Sequence, residues 1–182
     1  MITYNSRFVL GGDPNNESFN KDIAAYFRET VLPSRNGEGF LVTFTSDAWI
    51  PTLNTLFAGN EIILAPRLYF EITPDQNLEV NLPERFSIQP VATELMKSNM
   101  EGLETLREEM CSERTSVEDF LEKSFGVCTV YENQIVGWCL SEYNTGDRCE
   151  IGIATLEPHQ RKGIATALTR AFLIEAAKRG YQ

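Results

Sequence analysis

The sequence predicts an α/β protein, a mixed sheet flanked by helices and preceded by a small α/β unit. Three observations carry that prediction. From residue 86 onward the order reads strand, two helices, three meandering strands, helix. The first 72 residues mix strands and helices on their own account. Between them, residues 73–85 (TPDQNLEVNLPER) are polar and hold two prolines, which suits a linker. The expected division is therefore an N-terminal α/β domain over 1–80 and a second domain over 81–182.

In the first unit, Phe8–Leu10 is a short apolar run before the turn-rich stretch GGDPNN. Residues 18–32 read as a helix capped by Ser18 or Asn20, with Ile23, Ala24, Phe27 and Val31 on one face and Pro33 ending it. Gly39–Thr45 alternates as a strand. Ser46 and Asp47 can cap a helix from Ala48 to Phe57, with Pro51 in the first turn, where its missing N–H is harmless. Glu61–Ala65 and Leu68–Ile72 read as strands on either side of Pro66. Trp49, Phe57, Tyr69 and Phe70 are expected in the core or at a domain interface, and Arg67 in an ion pair or in solvent.

In the second unit, Phe86–Gln89 is a strand and Val91 to about Met110 a helix interrupted at Gly102. Ser116 caps a further helix with Asp119 at its third position. Gly126–Tyr131 and Ile135–Tyr143 form a hairpin, and the turn at Asn144–Asp147 leads antiparallel into Cys149–Leu156. Ile151 and Ile153 alternate with small residues there, as in a partly buried strand. Pro158 and Gly163 mark a tight turn. Ile164–Arg179 then has no proline or glycine, and Ile164, Ala167, Leu168, Ala171 and Phe172 recur at helical spacing before Gly180.

That last junction carries the chemistry. The first N–H groups of a helix lack intrahelical partners and sit at the positive end of its dipole, so they attract anions, phosphate above all. Arg161 and Lys162 add charge and Gly163 admits close backbone approach. An ordinary strand-turn-helix with a solvated basic turn accounts for the same residues.

Gln160-Arg161-Lys162-Gly163-Ile164-Ala165 resembles the Q/R-x-x-G-x-G/A signature of the GNAT N-acetyltransferase superfamily. Residues from about 82 to 180, including SVEDFLEKSFG and IVGWCLSEYNTGDRCEIG, are similar to a branch often labelled GNAT acetyltransferase in bacterial genomes. The segment LVTFTSDAWIPTL resembles that branch's N-terminal unit more loosely. The resemblance implies acetyl-coenzyme A as co-substrate, with direct transfer of the acetyl group to a primary amine. The backbone N–H groups of Arg161, Lys162, Gly163, Ile164, Ala165 and Thr166 would hold the pyrophosphate, with Gln160 shaping the loop. The backbone of Ile153, Ala154 and Thr155 would meet the pantetheine arm. Glu150 is the leading general base, its carboxyl raised by burial; a strand residue in an ion pair is the alternative. Glu142 and Tyr143 follow as weaker candidates, and Trp138 and Cys139 are expected to line the sheet. A covalent role for Cys139 or Cys149 lacks a visible base beside either thiol.

In the superfamily a fifth strand follows this helix, whereas the sequence stops at Tyr181-Gln182. A domain truncated after the helix is the expectation, with a homodimer as one way to supply the missing wall across an open strand edge. A coenzyme-binding or protein-interaction module without turnover is the alternative function.

Composition bounds the rest. The net charge of −10 disfavours broad nucleic-acid binding. No apolar run approaches the ~20 residues a bilayer requires, and no signal-peptide pattern opens the chain, so a cytoplasmic location is expected. Four cysteines without framework spacing read as reduced thiols, and with one histidine no metal site is expected. The acceptor is expected to be a small-molecule or peptide amine.

Overall fold

The computed structural model describes residues 2–4, 7–37, 39–66 and 68–182. It separates into two compact units, Met1–Tyr69 and Phe70–Gln182. The stretch 73–85 contains turns but neither helix nor strand.

In the first unit, β1 (Ile2–Tyr4) pairs antiparallel with β2 (Arg7–Leu10), and β2 pairs parallel with β3 (Leu41–Phe44). A parallel partner needs a crossover, and helix α1 (Glu17–Tyr26) supplies it. Asn16 rather than Ser18 or Asn20 is its cap, its side chain accepting from the Phe19 N–H at 3.0 Å. Pro33 does not end the helical path. A π turn over Phe27–Val31, in which Leu32 N–H reaches back to Phe27 O, is followed by a last turn α2 (Leu32–Ser34). Pro33 lacks the N–H that would continue this ladder, and the path ends one residue later at Ser34. Ser46 caps a short 3₁₀ turn leading into α3 (Ile50–Leu56). Phe8, Leu10, Phe27, Trp49 and Leu53 close the core, with the Phe27 ring stacked on Phe40 at 5.3 Å.

The two strands predicted around Pro66 are absent among the described residues, which carry no regular structure there; Arg67 lies outside them. Ile63, Leu68, Tyr69 and Phe70 are 80%, 85%, 73% and 83% exposed. Apolar residues favour a strand only when a neighbouring edge pairs with it and a face is covered. Tyr69 and Phe70 are thus not core residues in these units.

The second unit is a four-stranded antiparallel sheet in the order β4 (Phe86–Pro90), β5 (Gly126–Tyr131), β6 (Gln134–Thr145), β7 (Arg148–Thr155). The parallel pairing that makes the protein's strand arrangement mixed belongs to the first unit. Two-residue turns at Glu132-Asn133 and Gly146-Asp147 dictate the meander, with Glu132 and Gly146 at φ 57° and 61°. Helix α7 (Ile164–Lys178) covers one face, laying Ile164, Leu168, Phe172 and Ala176 on Phe125, Val127 and Cys139. That is an i, i+4 stripe meeting a strand's alternate residues.

The opposite face packs Cys128, Val130, Trp138 and Leu140 against α4 (Thr93–Met96), α5 (Leu103–Ser112) and α6 (Val117–Lys123). The helical stretch over 91–110 is interrupted at Gly102, as expected, leaving α4 and α5 as separate helices. Gly102 takes φ 81°, and a Cβ there would sit 2.9 Å from the Ile135 carbonyl oxygen. The chain turns at that glycine because Glu101 docks on the hairpin, accepting from Ile135 N–H at 2.9 Å. Ser116 caps α6 by accepting from Asp119 N–H at 3.1 Å, as its spacing implies.

Candidate active site

The site lies where β7 ends. Strand β7 hydrogen-bonds to β6 on one side only, so from Ile153 to Thr155 its other edge is open among the described residues. After Leu156 a 3₁₀ turn over Glu157–His159 reverses the chain, and residues 160–163 lead into α7. Two residues of this loop are left-handed, Arg161 at φ 62° and Gly163 at φ 81°. Alternation of backbone hand turns successive N–H groups toward one side, making a concave donor surface. The Gln160 amide donates to Thr155 O at 2.9 Å and ties the loop to the strand end.

A cleft of about 390 Å³ opens there. It is lined by Ile153, Ala154, Thr155, Gln160, Arg161, Gly163, Ile164, Ala165 and Thr166, the residues singled out from the sequence, together with His159. Lys162 does not line it. Its ammonium donates to Pro158 O at 2.9 Å and braces the loop from behind.

His159 is a wall residue that the sequence reading did not pick out. Its ring contacts Phe86 and Tyr131 at 5.7 and 5.3 Å between centroids. Its Nδ1 and the Thr155 Oγ1 are buried with no hydrogen-bond partner among the described residues. The 3₁₀ turn after β7 carries His159 to these rings, which stand on β4 and β5.

Glu150 corrects an expectation. It lies on β7 but is exposed, so the burial proposed to raise its carboxyl is not there. Glu142 and Tyr143 face it across a β-bulge: Ser141 pairs with Ile151 and Asn144 with Cys149, leaving two residues of β6 opposite one of β7. Trp138 is buried in the sheet as expected. Cys139 is fully buried, and burial pushes its thiol well above the ordinary range, with Cys149 and Glu142 adding to the shift. Burial also raises Cys149. Both thiols are held away from the thiolate that covalent transfer would need.

Among the described residues, no helix is long and apolar enough to cross a membrane.

The second unit is thus an antiparallel sheet with one helix on one face, several on the other, and a left-handed loop before a long helix. The profile of the family described as GNAT acetyltransferase matches residues 1–182, and the chain belongs to that family. It is 24% identical over 174 residues to the uncharacterized N-acetyltransferase YdfB of Bacillus subtilis (strain 168), covering 95% of this chain and 64% of that protein. A GCN5-related N-acetyltransferase-like protein from Streptococcus suis 89/1591 superposes with a TM-score of 0.56 at 16% identity, covering 84% of this chain and 63% of that one. A GNAT family acetyltransferase from Elizabethkingia anophelis with acetyl-CoA bound is similar over 55% of this chain and 63% of its own, at 18% identity and a TM-score of 0.39. The chain thus spans under two thirds of the length of these relatives.

Proposed function

We propose that this chain is an acetyl-coenzyme A-dependent N-acetyltransferase that passes the acetyl group directly to a primary amine. One observation carries the reading. The open edge of Ile153–Thr155 and the left-handed loop through Gly163 meet in a single cleft at the start of a 15-residue helix. Such a cleft offers unpaired strand amides and carbonyls to a pantetheine arm, and loop N–H groups with a helix dipole to a pyrophosphate. Arg161 adds a positive charge at the same end. The acceptor is a small-molecule or peptide amine. Membership of an acetyltransferase family agrees with this chemistry.

Calorimetric titration of coenzyme A into the whole chain tests the reading. Saturable 1:1 binding is the expected result, and no heat at millimolar ligand would sink it. A second reading, a coenzyme-binding or protein-interaction module without turnover, is favoured by the exposure of Glu150. Thiol release from acetyl-coenzyme A in the presence of amines separates the two.

A further inference from the structure

We propose that Glu142, rather than Glu150, takes the proton from the acceptor amine, and that Gly152 is a glycine so that the Glu142 carboxylate can reach the edge of the cleft. The proposal rests on the acetyltransferase reading above.

The β6–β7 bulge supplies the first observation. Bulges re-aim side chains, and this one sets Glu142 and Tyr143 against Glu150 alone. Gly152 supplies the second. A Cβ built on it would overlap the Glu142 carboxylate, so the carboxylate lies directly on the β7 backbone. Gly152 pairs with Leu140 and Ala154 with Trp138, and both partners belong to the core on the face away from α7. Glu142 therefore lies on that face. Gly152 immediately precedes Ile153, the first residue of the cleft wall. With a rise of about 3.3 Å per residue, the carboxylate stands roughly one residue from the end of that wall.

The third observation is enclosure. Glu142 is half-buried where Glu150 is exposed. Glu142 and Gly152 line a cavity of about 10 Å³ together with Glu109, Glu113 and Arg114. That is room for a single water. The β7 edge beside Glu142 is where the acetyl group would lie.

The step balances. The neutral amine's nitrogen attacks the thioester carbonyl carbon, forming the C–N bond. The C–S bond breaks and its electron pair leaves with the thiolate of coenzyme A. The nitrogen's surplus proton passes to the Glu142 carboxylate and from there to the thiolate or to water.

The test compares the parent chain with Glu142→Gln, Glu142→Asp, Glu150→Gln and Gly152→Ala. Coenzyme A affinity is read by calorimetry, and thiol release with spermidine, a peptide bearing a free N-terminus, and kanamycin. The expected result for Glu142→Gln is a loss of kcat of about 100-fold or more, the ordinary scale for removing a general base, with an unchanged melting temperature and coenzyme A affinity. Glu142→Asp should recover part of that loss. Gly152→Ala should lower kcat in the parent and have little further effect in a Glu142→Gln background, because both act on one carboxylate. Full turnover by Glu142→Gln, or the large loss falling on Glu150→Gln instead, overturns the inference and leaves the acetyltransferase reading standing. Coenzyme A binding without thiol release from any of the three amines overturns it as well. Absence of coenzyme A binding overturns the acetyltransferase reading itself.

Discussion

Gly163→Asp separates what the loop does for the fold from what it does for a ligand. Gly163 sits at φ 81°, and no atom lies within 4 Å of where its Cβ would be. The cost to the fold is therefore conformational rather than steric. A left-handed L-residue costs about 1–2 kcal/mol, and aspartate sits at the cheap end because its side chain tolerates that region. A carboxylate at a helix start recovers about 0.3–1 kcal/mol through the dipole. The net change in stability is then within about 1.5 kcal/mol of zero. For a phosphate about 5 Å away, one added negative charge costs about 1–3 kcal/mol at effective dielectric constants of about 80 to 20. That corresponds to roughly a 5- to 150-fold weaker binding of coenzyme A. Urea melts and calorimetry on the same variant give both numbers. A Gly163→Asp chain that binds coenzyme A within twofold of the parent would refute the anion-binding account of this loop. Gly163→Asn, with the same backbone demand and no charge, should bind nearly as well as the parent.

Four further predictions concern the frame around the site. Gly102→Ala should destabilise the second unit by about 2 kcal/mol or more in urea melts, because the new Cβ meets both a left-handed φ and the Ile135 carbonyl oxygen at 2.9 Å; a cost below about 0.5 kcal/mol would contradict that contact. Ser116→Ala should cost about 1 kcal/mol by removing the α6 cap, and an unchanged urea midpoint would count against it. Burial pushes the Cys128 thiol up to about 12. The unfolded chain ionises that thiol near pH 8.5 while the fold does not, so stability should fall as pH rises from about 9 to about 12. In the same way a thiol reagent should label exposed Cys111 in the folded protein and Cys128 only after unfolding; rapid labelling of both would refute the burial argument.

The site's loop was legible in the sequence because its determinants are local. Pro158, Gly163 and the uninterrupted run from Ile164 fix a turn and a helix start within ten residues, and a helix start carries its anion preference with it. What was not legible depends on residues distant in the chain. His159 becomes a wall residue only once Phe86 and Tyr131 stand beside it. The residues from 61 to 72 have strand chemistry, but strand formation awaits a pairing edge that no local pattern supplies. The break in the helix over 91–110 was legible at Gly102, but its cause, the pairing of Glu101 with Ile135 34 residues away, was not. One signal was available and unused: Gly152 stands between Ile151 and Ile153 within the strand, and an isolated strand glycine marks a bulge or a close approach.

Strand β7 imposes an order on the chemistry because every part of the proposed reaction is read off one edge in sequence. Gly152 carries the Glu142 carboxylate, Ile153–Thr155 offer open backbone, and Gln160–Gly163 turn N–H groups toward the cleft. Alternate β7 residues point to opposite faces, so a one-residue register slip would send Gly152 to the α7 side and close the carboxylate's seat. The irregularity is placed where it does no such harm. The extra residue is in β6, so β7 stays regular from Cys149 to Thr155, and the distance from Gly152 to the loop is set by unbroken strand geometry. A bulge on β7 would have moved acid, backbone and loop relative to one another. On β6 it re-aims Glu142 and Tyr143 and leaves the spacing from Gly152 to the loop unchanged.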